Sequence, residues 1–406
     1  MNKLKKHILV IAQYFYPEQF RINDICEEWV RRGYKVTVIT GIPNYPQGSF
    51  YKGYGILKRT HEEYKGIDII RIPIIPRKKN PLMLMLNYMS FVISGWIWKS
   101  FTRQKADFVF IYEVSPMTQA LPGIWYAKKR KVPCYLYVTD LWPESVEFAT
   151  GIKNKFIINS IQCMVDYIYR RCDYIFTSSK SFINVIKMRG IKEDKIKFWP
   201  QYAEDFYTPI KNINYNEIPI PQDGVFNIIF AGNIGFAQGL NILPEVAKIL
   251  KEKKIKARFN LVGDGRARSN LIKLVERYDV MEYFQFIDKQ PAHKIPELVG
   301  ACDANLICLS KSKVFEITLP AKTQSCLACG KPILVSADGE VQNIIKAAGA
   351  GICANASDAD MLAERLIELL KLDKFQLDKM SENALIYSEN YFNKDKLLEE
   401  MDQYFN

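Results

Sequence analysis

The sequence predicts an α/β protein built from two Rossmann-like domains facing across a cleft. Three observations predict it. Short β-rich apolar runs alternate with longer helical patterns, which is the alternation of a parallel sheet. The alternation stops once, at 208-TPIKNINYNEIPIPQDG-224, a stretch rich in Asn, Pro and Ile with no helical period. Beyond that stretch it starts again, in a chain of 406 residues that has length enough for two or three full cores.

The elements follow in order. The run 7-HILVIA-12 reads as the first strand, 22-INDICEEWVRRG-33 as a helix closed by Gly33, and 36-VTVIT-40 as the second strand. Asn23 is the expected helix cap, with Glu27 in the first turn. Further strands are expected at 67-IDIIRI-72, 107-DFVFIY-112, 133-PCYLYV-138 and 174-YIFTSS-179. Residues 1–207 then form the first domain, and 208–224 a linker. The second domain, 225–390, carries strands at 226-FNIIFAG, 258-RFNLVGDG, 284-FQFID, 304-ANLICL and 332-PILVS. In open sheets of this kind ligands bind at the carboxyl ends of the strands.

Composition narrows the partners. Against 44 Asp and Glu stand 56 Lys and Arg, a net charge of +12 that favours anions. The sequence has no RNA-binding signature and no Cys/His finger, so phosphorylated substrates and an acidic membrane are favoured over nucleic acid. The nine cysteines are scattered and odd in number, and Cys326 and Cys329 lie in an apolar helical stretch, so they read as buried thiols in a cytosolic protein. The basic then apolar N-terminus has no small-residue cleavage site and runs into a strand, so no signal peptide is read. His7, His61 and His293 have no metal spacing.

One segment stands outside the alternation. The run 81-PLMLMLNYMSFVISGWIWKSF-101 is apolar over most of its length. It is flanked by Arg77, Lys78 and Lys79 before and by Lys99, Arg103 and Lys105 after. Asn87, Ser90, Ser94 and Gly95 interrupt it, which argues against spanning a bilayer. Two readings stay open: a helix packed on the first sheet, or a helix lying in an anionic membrane interface.

Three loops at strand ends carry candidate chemistry. In 231-AGNIGFAQGL-240 the glycines Gly232, Gly235 and Gly239 precede a helix, but their spacing is not the dinucleotide fingerprint G-x-G-x-x-G. Backbone N–H groups facing a pyrophosphate are the alternative. The loop 263-GDGRARSNL-271 adds Gly263, Asp264 and Gly265 with Arg266 and Arg268. The stretch 310-SKSKVFEITLPAKTQSCLACGKPIL-334 adds Glu316, Pro320 and Lys322 before a short helix stopped by Gly330. Together these make a site for a nucleoside diphosphate group. On the first domain, Asp140 and Glu144 in 139-TDLWPES-145 are placed to face the cleft, Asp140 to orient an acceptor hydroxyl or stabilise charge. Arg21 has no capping role and is assigned to a phosphate. The loop 41-GIPNYPQGSFYKGYG-55, with Asn44 and Tyr45, is long and aromatic and reads as an acceptor-binding lid.

The motifs at 13–48, 139-TDLWPES-145, 231-AGNIGFAQGL-240, 263-GDG-265 and 320-PAKTQSCLACGKPIL-334 together resemble glycosyltransferase family 4, with its two-domain GT-B architecture. Within it the chain is most similar to bacterial O-antigen and capsule enzymes of the N-acetyl-L-fucosamine transferase type. The resemblance implies a retaining, metal-independent transfer, with no cofactor, from a UDP-sugar to a polyprenyl-diphosphate-linked acceptor. It implies a peripheral location on the cytoplasmic face of the membrane, and a C-terminal helix within 391–406 that crosses back to the first domain. Asp358-Ala-Asp360 sits where a helix start is expected, not after a strand as a metal-bridging pair would.

This sequence departs from the family in two places. Where many members carry Gly-Arg and Lys-Gly in the glycine loop, it has Gly232-Asn233 and Gln238-Gly239. Arg266, Arg268, Lys289 and Lys322 are the replacements for the missing cations. The family's two glutamates, eight positions apart, fall at Ile317 and Ser325. Glu316 is assigned the first role, touching sugar hydroxyls, and Gln324 or Ser325 the ribose contact. Two other readings are a nucleotide-sugar 2-epimerase of the same fold, which would need no apolar basic segment, and a non-catalytic nucleotide-sugar-binding scaffold.

Overall fold

A computed structural model describes residues 6–78, 80–151, 154–210, 212–215 and 217–405; Lys79 lies outside them. The chain divides into two compact units, one running to Trp199 and rejoined from Asp402 on, the other spanning Pro200–Met401.

The first unit holds eight strands: β1 His7–Ile11, β2 Lys35–Gly41, β3 His61–Tyr64, β4 Ile67–Ile72, β5 Phe108–Glu113, β6 Cys134–Val138, β7 Tyr174–Thr177 and β8 Ile196–Phe198. Their order is β3-β4-β2-β1-β5-β6-β7-β8. All neighbours run parallel except β3, which pairs antiparallel with β4. β1 and β5 are buried along their whole length, the continuous apolar pattern of a sheet covered on both faces. The strand order reverses beside β1, so the switch point lies at the carboxyl ends of β1 and β5.

The helix after β1 spans Arg21–Arg31, and Phe20 rather than Asn23 is its cap residue. Asn23 instead donates its amide to Glu18 O at 2.7 Å. The cap falls three residues before Asn23: Phe20 has extended backbone, and Arg21 opens the first turn.

The apolar run is one helix, Pro81–Phe101, long and apolar enough to cross a membrane by length and composition. Its polar interruptions are its inner face. Asn87 is buried, accepts from Gln13 Nε2 at 2.8 Å and donates to Ile75 O at 2.6 Å. Ser90 accepts from Ile75 N, Ser94 donates to Pro73 O, and a Cβ on Gly95 would meet Pro122 at 2.3 Å. The other side exposes Leu82, Met85, Leu86, Met89, Ile93, Trp96 and Ile97, spaced three or four residues apart.

The second unit holds β9 Phe226–Ala231, β10 Ala257–Val262, β11 Phe284–Ile287, β12 Ala304–Cys308, β13 Ile333–Ser336 and β14 Gly351–Ala354. The order is β11-β10-β9-β12-β13-β14, parallel throughout, with its switch point between β9 and β12. The described residues of the stretch 208–224 pack on the second unit. Ile220 is buried with Ile229 and Val262, while Ile213 and Ile218 pack beside it. Its isoleucines make it an irregular strap on the second core, and Arg258 pins it through Asp223 at 2.6 Å. The last helix is Lys394–Phe405, with Leu397, Leu398 and Met401 buried. Its end lies on the first unit, where Phe405 stacks on Phe108 and Tyr135 donates to Tyr404 O.

Candidate active site

The carboxyl ends of β9, β10 and β12 meet through their glycines. A Cβ on Gly263 would lie 2.0 Å from Gly232 O, and one on Gly265 2.3 Å from Ile234 O. Gly239 has φ +61°, and a Cβ there would lie 2.9 Å from Ser310 N. Only glycine permits this contact between loops. The same loops consume their own donors. Gly232 N donates to Val262 O, Ile234 N to Asp264 O, Gly239 N to Phe236 O and Gly263 N to Ile287 O. The glycines therefore serve close packing, and the expectation that their N–H groups cradle a pyrophosphate is corrected at those positions.

Side chains complete the lock. Gln238 Oε1 accepts from Gly235 N at 3.1 Å and from Asn233 Nδ2 at 3.5 Å. Asp264 turns back to accept from Gly265 N at 2.8 Å. Neutral amides thus hold the glycine turn.

The charge comes from Lys322. It opens the helix Lys322–Ala328 beyond β12 and reaches back to the switch point. Its Nζ lies 3.2 Å from the centroid of the Phe230 ring, and a Cβ on exposed Gly232 would stand 3.4 Å from it. No carboxylate among the described residues pairs with it. Burial without a counter-charge pulls its pKa down to about 8, with the nearby Cys326 and Cys308 only partly opposing. An unpaired ammonium facing a ring and a glycine is set for an anion.

The other proposed donor-site residues divide. Arg266 is exposed on the rim beside Gly265. Arg268 is drawn away, pairing with Asp288 at 3.0 Å and lying over Phe286, so it does not join Lys322. Lys289 stands exposed beyond β11, two strands from β9, and is not gathered in either. Glu316 ends the short helix Lys313–Glu316 and is exposed, with its carbonyl under Gly339 of the next loop. Gln324 is fully buried. With its amide nitrogen toward the carbonyls it faces, it donates to Pro320 O and Ala321 O at 3.0 and 3.1 Å. It holds the Pro320 turn, and the ribose contact assigned to it is corrected; Ser325 remains half-buried on the same helix.

At the switch point of the first sheet a second cluster forms. Glu113 ends β5 and is fully buried, accepting from Asp140 N at 3.4 Å. Burial first and the charge of Asp140 second push its carboxyl well above the usual range, so it holds a proton beside Asp140. Asp140 is half-buried and accepts from Ser115 N at 3.0 Å. Glu144 does not share this site. It pairs with buried Arg189 at 2.7 Å, which also binds Trp142 O, so its assigned catalytic role is corrected to a clasp on the helix Glu144–Thr150.

Asn44 is likewise structural: fully buried, it donates to Ile42 O and accepts from Arg77 N. Glu18 receives the N–H groups of Asn44 and Tyr45 at 2.7 and 2.6 Å, and burial raises its pKa to about 7. Tyr45 is exposed and packs on Tyr14 and Phe20. Arg21 is half-buried near the Tyr137 hydroxyl. Sequence reasoning missed Glu18, Glu113 and Arg77. A carboxylate closing the apolar run 108-FVFIYE-113 was the one readable signal.

Residues 20–201 match the family described as Glycosyltransferase Family 4, and residues 215–386 match Glycosyl transferases group 1. The chain is 24% identical over 386 residues to the putative colanic acid biosynthesis glycosyl transferase WcaI of Escherichia coli, covering 90% of this chain and 93% of that one. It is 27% identical over 294 residues to a Campylobacter jejuni protein, covering 66% and 70%. That protein is named N,N'-diacetylbacillosaminyl-diphospho-undecaprenol alpha-1,3-N-acetylgalactosaminyltransferase. Among solved structures, Anabaena HepE in complex with UDP and glucose superposes with a TM-score of 0.70 at 13% identity over 98% of both chains.

Proposed function

The chain belongs to the family 4 glycosyltransferases, with the paired parallel sheets of the GT-B architecture, and from that premise we propose that it transfers an N-acetylated sugar from a UDP-sugar to a polyprenyl-diphosphate-linked acceptor. One observation carries the reading: the unpaired Lys322 ammonium at the switch point of the second sheet. A diphosphate there would supply the counter-charge that the fold withholds. HepE with UDP supports the donor, and the name of the Campylobacter relative supports both the N-acetylated sugar and the diphosphate-linked acceptor.

In the mechanism proposed, Lys322 and Arg266 neutralise the diphosphate as it leaves, in the role a divalent ion plays elsewhere. Glu316 takes hydroxyls of the donor sugar. Asp140 orients the attacking acceptor hydroxyl beside Glu113, whose buried carboxyl is held well above the usual carboxylate range. The anomeric configuration is retained, with the donor phosphate receiving the acceptor proton, as the family resemblance implies. The enzyme works at the cytoplasmic face of the membrane, in O-antigen or capsule assembly. The exposed apolar side of Pro81–Phe101 lies in the interface, with Lys99 and Lys129 among the cations that meet anionic lipid.

A thermal-shift panel with UDP, GDP, ADP, dTDP, CMP and NAD tests the donor. A ligand at a hundred times its dissociation constant adds about 2.7 kcal/mol to the folded state. A shift with UDP supports the reading; a shift with NAD alone, or with none, contradicts it.

A further inference from the structure

The surroundings of Arg77 are unusual for a cation. It lies in the strap between β4 and the helix Pro81–Phe101 and is half-buried. Its guanidinium sits 5.0 Å from the centroid of the Tyr45 ring, and its Nη1 lies 3.4 Å from the Tyr14 hydroxyl. Tyr88, on the helix, is within electrostatic reach of both Arg77 and Asp140. No acid among the described residues pairs with Arg77. Nearby Glu18 is already occupied by the N–H groups of Asn44 and Tyr45.

The position is rigid. Arg77 N donates to the buried Asn44 Oδ1 at 2.9 Å, and Lys78 N donates to Gly48 O at 3.1 Å. The strap is tied to the helix at Ile75, whose N–H goes to Ser90 and whose carbonyl goes to Asn87. The fold therefore holds a planar, permanently charged fork among aromatic rings and supplies no anion for it. Such a fork matches phosphate oxygens two at a time. Within a turn or two of the helix that follows, Leu82, Met85, Leu86 and Met89 are exposed. A phosphate bound to Arg77 thus lies beside an apolar surface, which suits a phosphate carrying a hydrocarbon chain.

We infer that Arg77, framed by Tyr14, Tyr45 and Tyr88, is the subsite for the phosphate groups of the lipid-linked acceptor, with the acceptor's chain running along the exposed side of Pro81–Phe101. The inference rests on the acceptor class proposed above and adds the residue that grips it. Asp140, within reach of the same Tyr88, then stands on the sugar side of that grip.

Calorimetric titration of the full chain with farnesyl diphosphate, farnesol and UDP tests it. Wild type should bind farnesyl diphosphate at least tenfold more tightly than farnesol. Arg77→Gln should lose at least tenfold in farnesyl diphosphate affinity and none in UDP affinity. Arg77→Lys, which keeps the charge but not the fork, should fall between them, and it carries the test if the Gln variant does not fold. Equal binding of farnesyl diphosphate by wild type and Arg77→Gln overturns the inference, as does equal binding of farnesol and farnesyl diphosphate by wild type. Vesicles of phosphatidylglycerol without isoprenyl diphosphate separate the sources. Loss of vesicle binding in Arg77→Gln with unchanged farnesyl diphosphate affinity assigns the site to headgroups and also overturns the inference. Wild type that binds farnesyl diphosphate but no UDP leaves the subsite standing and removes the proposed donor.

Discussion

Replacing Lys322 with Met should stabilise the empty protein and destroy donor binding. Moving the ammonium from its ordinary 10.5 to about 8 costs the charged form about 3 kcal/mol in the folded state. Solvent at the half-buried side chain reduces that figure, and half of it is still about 1.5 kcal/mol. In a unit of this size that raises Tm by about 3–6 °C. Methionine fills a similar volume against Phe230 and introduces no charge. The bound state reverses the sign. A charge-assisted hydrogen bond to phosphate contributes about 1.5–3 kcal/mol, so UDP affinity should fall about 10- to 150-fold. The pH dependence checks the cause. With a folded pKa below the unfolded one, the cost is present in full below pH 8 and is relieved between pH 8 and 10.5, so wild type gains stability on Lys322 over that window and the variant does not. UDP binding to wild type should weaken as pH rises through 8. Calorimetry with and without UDP at pH 7 and pH 9.5 reads all of this. A variant that melts lower than wild type, or one that keeps its UDP shift, refutes the reasoning.

Glu316→Ala should leave the melting temperature unchanged, because the side chain is exposed, and lower kcat at least a hundredfold in a transfer assay. Gly263→Ala places a Cβ 2.0 Å from Gly232 O at φ +140°, and should cost about 3 kcal/mol or more, read as a drop in the urea midpoint. Glu18→Gln keeps an oxygen for the Asn44 and Tyr45 N–H groups. Burial raises the Glu18 pKa to about 7, so wild type should lose stability relative to the variant between pH 4.5 and 7, read by thermal melts across that range. The double variant Leu86→Glu and Ile93→Glu, on the exposed side of Pro81–Phe101, should abolish co-sedimentation with phosphatidylglycerol vesicles and leave UDP binding intact.

Much of this was readable in the sequence, and the remainder has physical causes. The buried central strands were legible because continuous apolar runs bounded by turn residues have few other solutions. The edge strands β3, β8 and β14 were not, since 61-HEEY-64 is polar and the other two are short. The polar interruptions at 87–95 read as reasons against spanning a bilayer, and in the fold they bond inward to Gln13, Ile75 and Pro73 and leave an apolar side outward. Lys322 was legible as a cation at a strand end, but its isolation was not, because a sequence does not show which acids lie near. Arg268, Gln324, Asn44 and Glu144 read as site residues by position and turned out to be held by Asp288, the Pro320 turn, the backbone of Ile42 and Arg77, and Arg189. Arg77 was legible only as one of a flanking basic run, since what sets it apart is three-dimensional: the tyrosines around it come from three separate segments.

The most direct test of the central claim is a turnover assay, with purified enzyme, a panel of UDP-N-acetylhexosamines and a short-chain polyprenyl-diphosphate-linked sugar, followed by mass spectrometry. The expected product is an acceptor heavier by one sugar residue, with release of one UDP per transfer, dependent on Lys322 and Glu316. An isomerised UDP-sugar formed without acceptor, or tight UDP binding with no product from any donor, would contradict it.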